Sequence, residues 1–162
     1  MSYEDNELER CKQETISHKS DVACNILKLC QDLKSRAINH DDSKLQQPEI
    51  GILARVTGTL KGLTYGSPEY MAQLESLKPF SQHHYEANRH HPEHFSGGVD
   101  DMTLVDLLEM ISDWTSATKK HSDGNIFKSI EHNTKRFNLS PQLAKILKNT
   151  VVEYFPESIP GN

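Results

Sequence analysis

Histidine is the residue type whose number and placement in this sequence first suggest chemistry. The chain of 162 residues contains nine histidines, and five of them fall within the segment HHYEANRHHPEH, residues 83–94. Imidazole nitrogens and carboxylate oxygens are ligands for zinc, manganese, iron and cobalt, so such a cluster is a candidate metal site. A histidine-rich stretch is also compatible with an exposed surface, and we expect two or three of the five to lie there without binding metal.

Three features elsewhere in the chain have the same donor chemistry. His18 lies within the apolar stripe of a predicted helix. The pair His40-Asp41 follows near the end of that helix, and Asp113 lies beside the apolar stripe of a later one. Taken alone, His18 would be an ordinary core residue and the His-Asp pair an ordinary helix cap. Because donors on different helices converge on one ion when each faces the core of a bundle, a divalent metal explains all of them together.

Helical periodicity predicts an all-α fold, a single compact domain of five to six helices that spans residues 1–155. No segment alternates polar and apolar residues for long enough to indicate a strand. The first helix should cover residues 6–36, a stretch without proline or glycine. One late helix should cover residues 125–137, and a last helix should begin at Ser140. Residues 156–162 should form a flexible tail.

Two middle helices should carry the remaining donors. A helix from Pro68 to about His90, with a kink near Pro79, includes much of the histidine-rich segment. Thr103 and Asp106 form a capping box that opens another helix. The apolar stripe of that helix comprises Leu104, Leu107 or Leu108, Ile111, Trp114 and Thr118, with Asp113 beside it.

The string AINHDDSKL resembles the motif of the HD-domain metal-dependent phosphohydrolases, an all-helical family named for an adjacent His-Asp pair that binds metal. The matching positions are Ile38, His40, Asp41 and Lys44, while Ser43 stands where glycine is frequent. His18 corresponds to the family's upstream histidine, and Asp113 in EMISDW corresponds to its distant helical aspartate. The stretch from the His-Asp motif through HHPEH to EMISDW also resembles a group of uncharacterised phage and bacterial proteins.

The resemblance implies an HD-like fold and a metal-dependent phosphohydrolase that acts on a nucleotide or another small phosphoester. Its cofactor would be one or two ions of manganese, iron, zinc or cobalt. His18, His40, Asp41 and Asp113 would surround the first ion. Some members hold two ions through extra histidines in the interval where HHYEANRHHPEH lies.

Helical phase selects ligands for this second ion. His84 and His91 are seven residues apart, which is two helical turns, and Asn88 lies between them on the same face. We assign His84 and His91 to the second ion, with Asp41 as the bridging carboxylate. A competing set at similar spacing consists of His83, His90 and His94.

Two further residues are expected in the reaction. Lys44 would contact a phosphate oxygen as a point charge. Because Lys44 stands where the family's HDxxE variant has an acid, the proton donor must lie elsewhere, and Glu109 is a candidate beside Glu93 and Asp42. Glu109, one turn before Asp113, is alternatively an acceptor that orients a ligand histidine, or a plain surface acid.

Two other functions fit the same donors. One is an HD-type di-iron oxygenase that acts on a small polyol or phosphonate, because extra histidines are what a second iron needs. The other is a non-catalytic, metal-containing module that binds a nucleotide. Oxygen uptake would identify the first function, and nucleotide binding without turnover would identify the second.

Charge and hydropathy exclude several classes of protein. Lysine and arginine total 18 against 23 acidic residues, a net charge of −5, which favours neither a disordered polyelectrolyte nor a strongly basic nucleic-acid binder. No apolar run approaches the roughly 18 residues of a membrane span. The acidic N-terminus MSYEDNELER lacks the features of a targeting signal. We therefore expect a cytoplasmic protein whose partner is a small phosphorylated substrate, and the oligomeric state stays open.

Overall fold

The computed structural model describes residues 3–60, 68–120 and 124–159, and these ranges contain seven α-helices, four short 3-10 helices and no strand. The α-helices are α1 (Tyr3–Asn39), α2 (Glu49–Leu60), α3 (Pro68–Glu75), α4 (Lys78–Ala87), α5 (Leu104–Thr118), α6 (Ile126–Arg136) and α7 (Pro141–Tyr154). The prediction of an all-α fold is confirmed. Within the described ranges the helix count exceeds six because one predicted helix is divided in two.

The chain consists of two units, Met1–Ile38 and Asn39–Asn162. The first unit is essentially α1, and none of the described residues of this helix is buried. The stripe predicted around His18 includes Val22, Ile26 and Leu29, which recur with it at helical spacing, and these three side chains are 41%, 54% and 55% exposed. A single helix cannot bury its own apolar stripe, so this unit has no core of its own.

The second unit has its hydrophobic core between α5, α6 and α7. The fully packed side chains of this core are Met110, Ile111, Ile126, Ile130, Leu139, Leu147 and Val151. Trp114 of α5 stacks on Phe137 at the end of α6, with ring centroids 6.2 Å apart. This packing supports α5, the helix on which Glu109 and Asp113 lie.

The apolar stripe predicted for α5 is correct in its middle and wrong at its start. Leu107 packs against the core and Ile111 is 1% exposed, whereas Leu104 is 74% exposed. The reason is that α5 turns Val105 and Met110 toward the interior instead.

The start of α5 has the predicted capping box. The Thr103 hydroxyl accepts a hydrogen bond from the Asp106 backbone N–H at 3.2 Å, and the Asp106 carboxylate accepts one from the Thr103 N–H at 2.8 Å. Asp106 is fully buried and also accepts two hydrogen bonds from the Arg89 guanidinium, both at 3.1 Å. The capping box therefore also fastens the segment around Arg89 to α5.

The helix predicted from Pro68 to His90 is wrong in its extent. The structure has α3 and α4 in its place, interrupted at Ser76 and Leu77. Pro79 lies in the first turn of α4, where its missing N–H costs no helical hydrogen bond, so it begins a helix and does not kink one. At the other end, Asn88 leaves the helical conformation with φ −122°, so α4 ends before His90.

The segment that follows α7 contacts the rest of the second unit. Pro156–Ser158 form a 3-10 turn, Glu157 accepts a hydrogen bond from Lys119 at 3.0 Å, and Ile159 packs against the core. Residues 160–162 of the predicted flexible tail lie outside the described residues. None of the described helices is long and apolar enough to cross a membrane.

Candidate metal centre

The His-Asp pair lies in a tight turn directly after α1. Asp41 has φ 60° and ψ 18°, a left-handed conformation that aspartate tolerates better than most residues. The following 3-10 helix, Asp42–Leu45, begins with a hydrogen bond from the Lys44 N–H to the Asp41 carbonyl at 2.8 Å. The turn places His40 Nε2 3.4 Å from Asp41 Oδ2.

Helix α5 brings two carboxylates to this turn. Glu109 and Asp113 are four residues apart and therefore lie on the same side of the helix. Glu109 Oε1 lies 2.9 Å from His40 Nδ1, and Asp113 Oδ1 lies 3.7 Å from His40 Nε2. His40, Asp41 and Asp113 each offer one ligand atom, and these atoms lie within 4.8 Å of one another. We call this group the carboxylate position.

The end of α4 and the segment after it bring three histidines to the other side of Asp41. His84 comes from the last turn of α4, while His90 and His91 follow in a turn closed by a hydrogen bond from the His91 N–H to the Asn88 carbonyl. Asp41, His84, His90 and His91 offer ligand atoms that also lie within 4.8 Å of one another. We call this group the histidine position.

The two positions share Asp41 through different oxygens. Asp41 Oδ1 lies 3.2 Å from His84 Nε2 and 3.5 Å from His90 Nε2. Asp41 Oδ2 faces His40 and receives a hydrogen bond from Lys44 Nζ at 2.6 Å. The carboxylate is thus placed as a bridge between two groups of donors.

Two carboxylates hold the far side of the imidazole rings. Glu49, at the start of α2, is 0% exposed and has Oε2 3.0 Å from His84 Nδ1. Glu109 Oε1 lies 3.1 Å from His90 Nδ1 as well as 2.9 Å from His40 Nδ1. A carboxylate on one ring nitrogen fixes a histidine so that its other nitrogen presents a lone pair, as in many metal sites. The group His40, His90 and Glu109, which also has metal-ligand spacing, is explained by these hydrogen bonds.

The hydrogen bonds around His84 decide which ring nitrogen carries its proton. The Asn88 amide donates its two protons to the His84 carbonyl at 2.7 Å and to Ser43 Oγ at 2.8 Å. The Asn88 amide also lies 3.0 Å from His84 Nδ1, but it has no third proton to donate to this nitrogen. We assign the Nδ1 proton of His84 to Glu49, which leaves the Nε2 lone pair directed at Asp41.

Two atoms at the centre of the histidine position are buried and lack a partner among the described residues. Asp41 Oδ1 and His90 Nε2 have no hydrogen-bond partner within the part of the chain that the structure describes. His84 Nε2 and His91 Nε2, which are 3.0 Å apart, add two more nitrogens at the same point. Buried acceptors without donors are costly, and a cation satisfies all of them at once. The donor set therefore fits a divalent metal.

Burial and neighbouring charges keep His91 neutral. Its pKa is lowered to about 3, first by burial and then by the proximity of His90 and His84. Burial alone would raise the pKa of Asp41, but the close approach of the His84 ring and the hydrogen bond from Lys44 outweigh it and lower the value. A neutral imidazole and an ionised carboxylate are the forms in which these groups bind metal.

In the carboxylate position the histidine is charged, in contrast to His91. The Asp113 carboxylate, 3.7 Å away, and the hydrogen-bonded Glu109 carboxylate raise the pKa of His40 to about 10. For Glu109, burial would raise the pKa, but hydrogen bonds from His40 and His90 lower it to about 2. The pKa of Asp113 is lowered likewise, because the proximity of His40 outweighs the effect of burial. His40 is thus an imidazolium held between carboxylates, and a cation would replace its proton.

The structure brings together most of the residues that the sequence selected. His40, Asp41 and Asp113 form one group, and His84 and His91 join Asp41 in the other. Helical phase is nevertheless the wrong reason for pairing His84 with His91, because α4 ends at Ala87.

Three other candidates lie in different surroundings. His18 is an exposed residue of α1 in the first unit, and its role as a ligand stays a prediction. In the competing histidine set, His83 contacts Glu49 at 2.7 Å, and His94 Nδ1 lies 3.1 Å from the Tyr85 carbonyl.

Sequence reasoning missed two residues of the centre. His90 was placed in the competing set because a continuous helix would point it away from His84 and His91. Asn88 and Pro92, both unfavourable for a helix, were the signal that the chain turns there. Glu49 had no signal in the sequence, since its partners His83 and His84 are 34 and 35 residues away.

The fold and this centre define an all-α protein with two adjoining groups of histidine and carboxylate donors. The chain belongs to the family described as "Family of unknown function (DUF5662)", whose profile matches residues 7–153. The matched span includes every residue of both positions. No curated protein and no solved structure matches the chain.

Proposed function

We propose that the protein is a metal-dependent phosphohydrolase that acts on a nucleotide or another small phosphoester with two divalent ions. The observation that carries the proposal is the placement of Asp41, whose Oδ1 faces His84 and His90 while its Oδ2 faces His40. Paired ions about 3.5–4 Å apart are typical of enzymes that hydrolyse phosphoesters, and a shared carboxylate is suited to bridge them.

The residues have distinct roles in this proposal. The histidine position and the carboxylate position each hold one ion. When bound, such ions polarise a phosphoryl oxygen and lower the pKa of a water molecule toward about 7. The chain's own contribution is to orient the donors, with Glu49 fixing His84 and Glu109 fixing His40 and His90.

Lys44 and Glu109 differ in what they can do for a substrate. The Lys44 side chain is 39% exposed and its Nζ lies 2.6 Å from Asp41 Oδ2, so its ammonium can contact a phosphate oxygen beside the carboxylate position. Glu109 accepts from both His40 and His90 and its pKa is about 2, so it is unsuited to donate a proton. We therefore assign Glu109 a positioning role and Lys44 the contact with substrate.

Phosphate release tests the proposal. The full chain, freed of metal and reloaded with Mn²⁺, is incubated with nucleoside mono- and triphosphates and with p-nitrophenyl phosphate. We expect release of phosphate or p-nitrophenol, and a loss of at least about 100-fold in Asp41→Ala, since even residues that only orient ligands contribute 10–100-fold. His132→Ala, which changes an exposed histidine of α6 outside both positions, should retain activity.

The three imidazoles of the histidine position also favour a second candidate, the di-iron oxygenase. Imidazole-rich donor sets suit iron, and oxygen chemistry would need a reducible metal. Iron-loaded protein that consumes dioxygen in the presence of a polyol or phosphonate, without releasing phosphate, would replace the phosphohydrolase proposal. Nucleotide binding without either reaction would instead identify a non-catalytic module.

A further inference from the structure

We propose that the two positions are unequal: the histidine position binds one ion tightly and prefers Zn²⁺, Co²⁺ or Fe²⁺, whereas the carboxylate position binds a weaker, exchangeable ion such as Mn²⁺. This inference rests on the proposed two-ion centre and adds the order of loading and the class of metal at each place.

The donor atoms of the two positions differ in kind. The histidine position offers three imidazole nitrogens and one oxygen of Asp41. This is a complete set of four for a tetrahedral zinc site. The carboxylate position offers one imidazole nitrogen, from His40, and oxygens of Asp41 and Asp113. Imidazole favours zinc, iron and related ions, whereas carboxylate oxygen favours manganese and magnesium.

The two positions also differ in burial, and this difference again favours tighter binding at the histidine position. The side chains of His84 and His90 are only 4% and 2% exposed. The side chains of His40 and Asp113 are each 30% exposed. An ion whose ligands include two buried histidines exchanges slowly with solvent, because these ligands must move before water can reach it. The carboxylate position lacks this protection.

Neighbouring charge adds a third difference. Lys44 Nζ lies 2.6 Å from Asp41 Oδ2, the oxygen that faces the carboxylate position. An ion bound there must share this oxygen with an ammonium group and is repelled by it. Asp41 Oδ1, in the histidine position, has no hydrogen-bond partner among the described residues. That oxygen is therefore available to the first ion.

A titration with one metal measures the difference without any reaction. Metal-free full-length protein is titrated with Co²⁺ by calorimetry and by visible absorption. We expect two binding steps whose dissociation constants differ by at least about 100-fold. The first step should show the strong absorption of a four-coordinate, nitrogen-rich site. In protein loaded with one equivalent of Zn²⁺, Mn²⁺ should still bind and be seen by electron paramagnetic resonance, and dialysis should remove the Mn²⁺ alone.

Two variants assign the steps to the positions. His91→Ala should remove the tight step and retain the weak one, and Asp113→Ala should do the reverse. His132→Ala is the matched control and should retain both steps. Far-UV circular dichroism of each variant checks its helical content, and the zinc and manganese competition in the unmodified protein tests the inference even where a variant fails to fold.

Two equal Co²⁺ steps, a tight step that survives His91→Ala, or displacement of Mn²⁺ by the first equivalent of Zn²⁺ would overturn the inference. None of these results depends on turnover, so they are separable from the proposed function. Unequal binding without phosphate release would overturn the phosphohydrolase and leave the inequality in place. Equal binding with phosphate release would overturn the inequality and leave the phosphohydrolase in place.

Discussion

At the scale of single residues, Asp41 connects everything else in the centre. Its left-handed backbone turns the chain sharply after α1, so that neighbouring His40 faces α5 while the Asp41 carboxylate lies between the two groups of donors. Aspartate and asparagine adopt this conformation more readily than other residues with a side chain. The same residue type is therefore favoured by the turn and by the chemistry.

Glu109 is the residue whose change should affect both positions at once. In Glu109→Gln the amide replaces an ionised acceptor that holds His40 and His90, so the affinity for both ions should fall by about 10–100-fold. Co²⁺ titration measures the change. Glu49→Gln should weaken only the tight step. The hydrogen bonds of Glu49 are with His83 and His84, and of these two only His84 is a ligand in either position.

Glu153→Gln is the control for these variants, because Glu153 is an exposed residue of α7 and lies in none of the donor groups. Unchanged Co²⁺ affinity in Glu109→Gln would mean that this carboxylate does not position the histidines.

At the scale of helices, the sequence predicted the features that depend on residues within one or two turns of each other. The capping box at Thr103 and the pattern around Ile111 gave α5 correctly, because a cap and a periodic stripe act within one or two turns. The end of α4 was missed, although Asn88 and Pro92 mark it. Glu49 was unpredictable, since its place beside His84 depends on how α2 packs against α4.

The candidate site was also predictable only in part from the sequence. The order of His40, Asp41 and Asp113 along the chain selected one group of donors from the sequence. His84 and His91 were selected through a helical phase that the structure does not have. His90 could be found only once the turn after Ala87 was known, because adjacent histidines face the same ion only outside a regular helix.

The cap of α5 gives a prediction about stability. Thr103→Ala removes the hydroxyl that accepts from the Asp106 N–H and donates to the Asp106 carboxylate, so the free energy of unfolding should fall by about 1 kcal/mol. Urea unfolding of metal-free protein measures it.

Ser112→Ala on the same helix is the control for this variant. Its hydroxyl donates to the Leu108 carbonyl in an exposed mid-helix position, and alanine is a better helix former. We expect a neutral or slightly stabilising effect. Equal losses in the two variants would show that the cap contributes nothing specific to α5.

At the scale of the molecule, the centre joins distant parts of the second unit. Its donors come from the turn at His40 and Asp41, from residues 84–91 and from Asp113. The hydrophobic core lies among α5, α6 and α7, so only Asp113 and Glu109 come from a helix of that core. A cation between these segments would therefore add a connection that the apolar core does not supply.

Metal should accordingly stabilise the folded chain. A ligand that binds only the native state stabilises it by about 2.7 kcal/mol when its concentration is 100 times its dissociation constant. Differential scanning calorimetry of metal-free protein with increasing Zn²⁺ should show a melting temperature that rises with concentration. In His91→Ala, which retains only the weak position, the increase should begin at a higher Zn²⁺ concentration, whereas His132→Ala should behave as the unmodified protein. A melting temperature that does not change with Zn²⁺ would show that the native state does not bind it preferentially.

The placement of ions in crystals tests the two-ion centre most directly. Crystals of the full chain grown with Zn²⁺ and Mn²⁺ would be measured at the absorption edge of each metal, and anomalous difference maps would locate both. We expect two peaks about 3.5–4 Å apart, one on each side of the Asp41 carboxylate, with zinc among His84, His90 and His91. Absence of both peaks, or ions bound away from Asp41, would contradict the account.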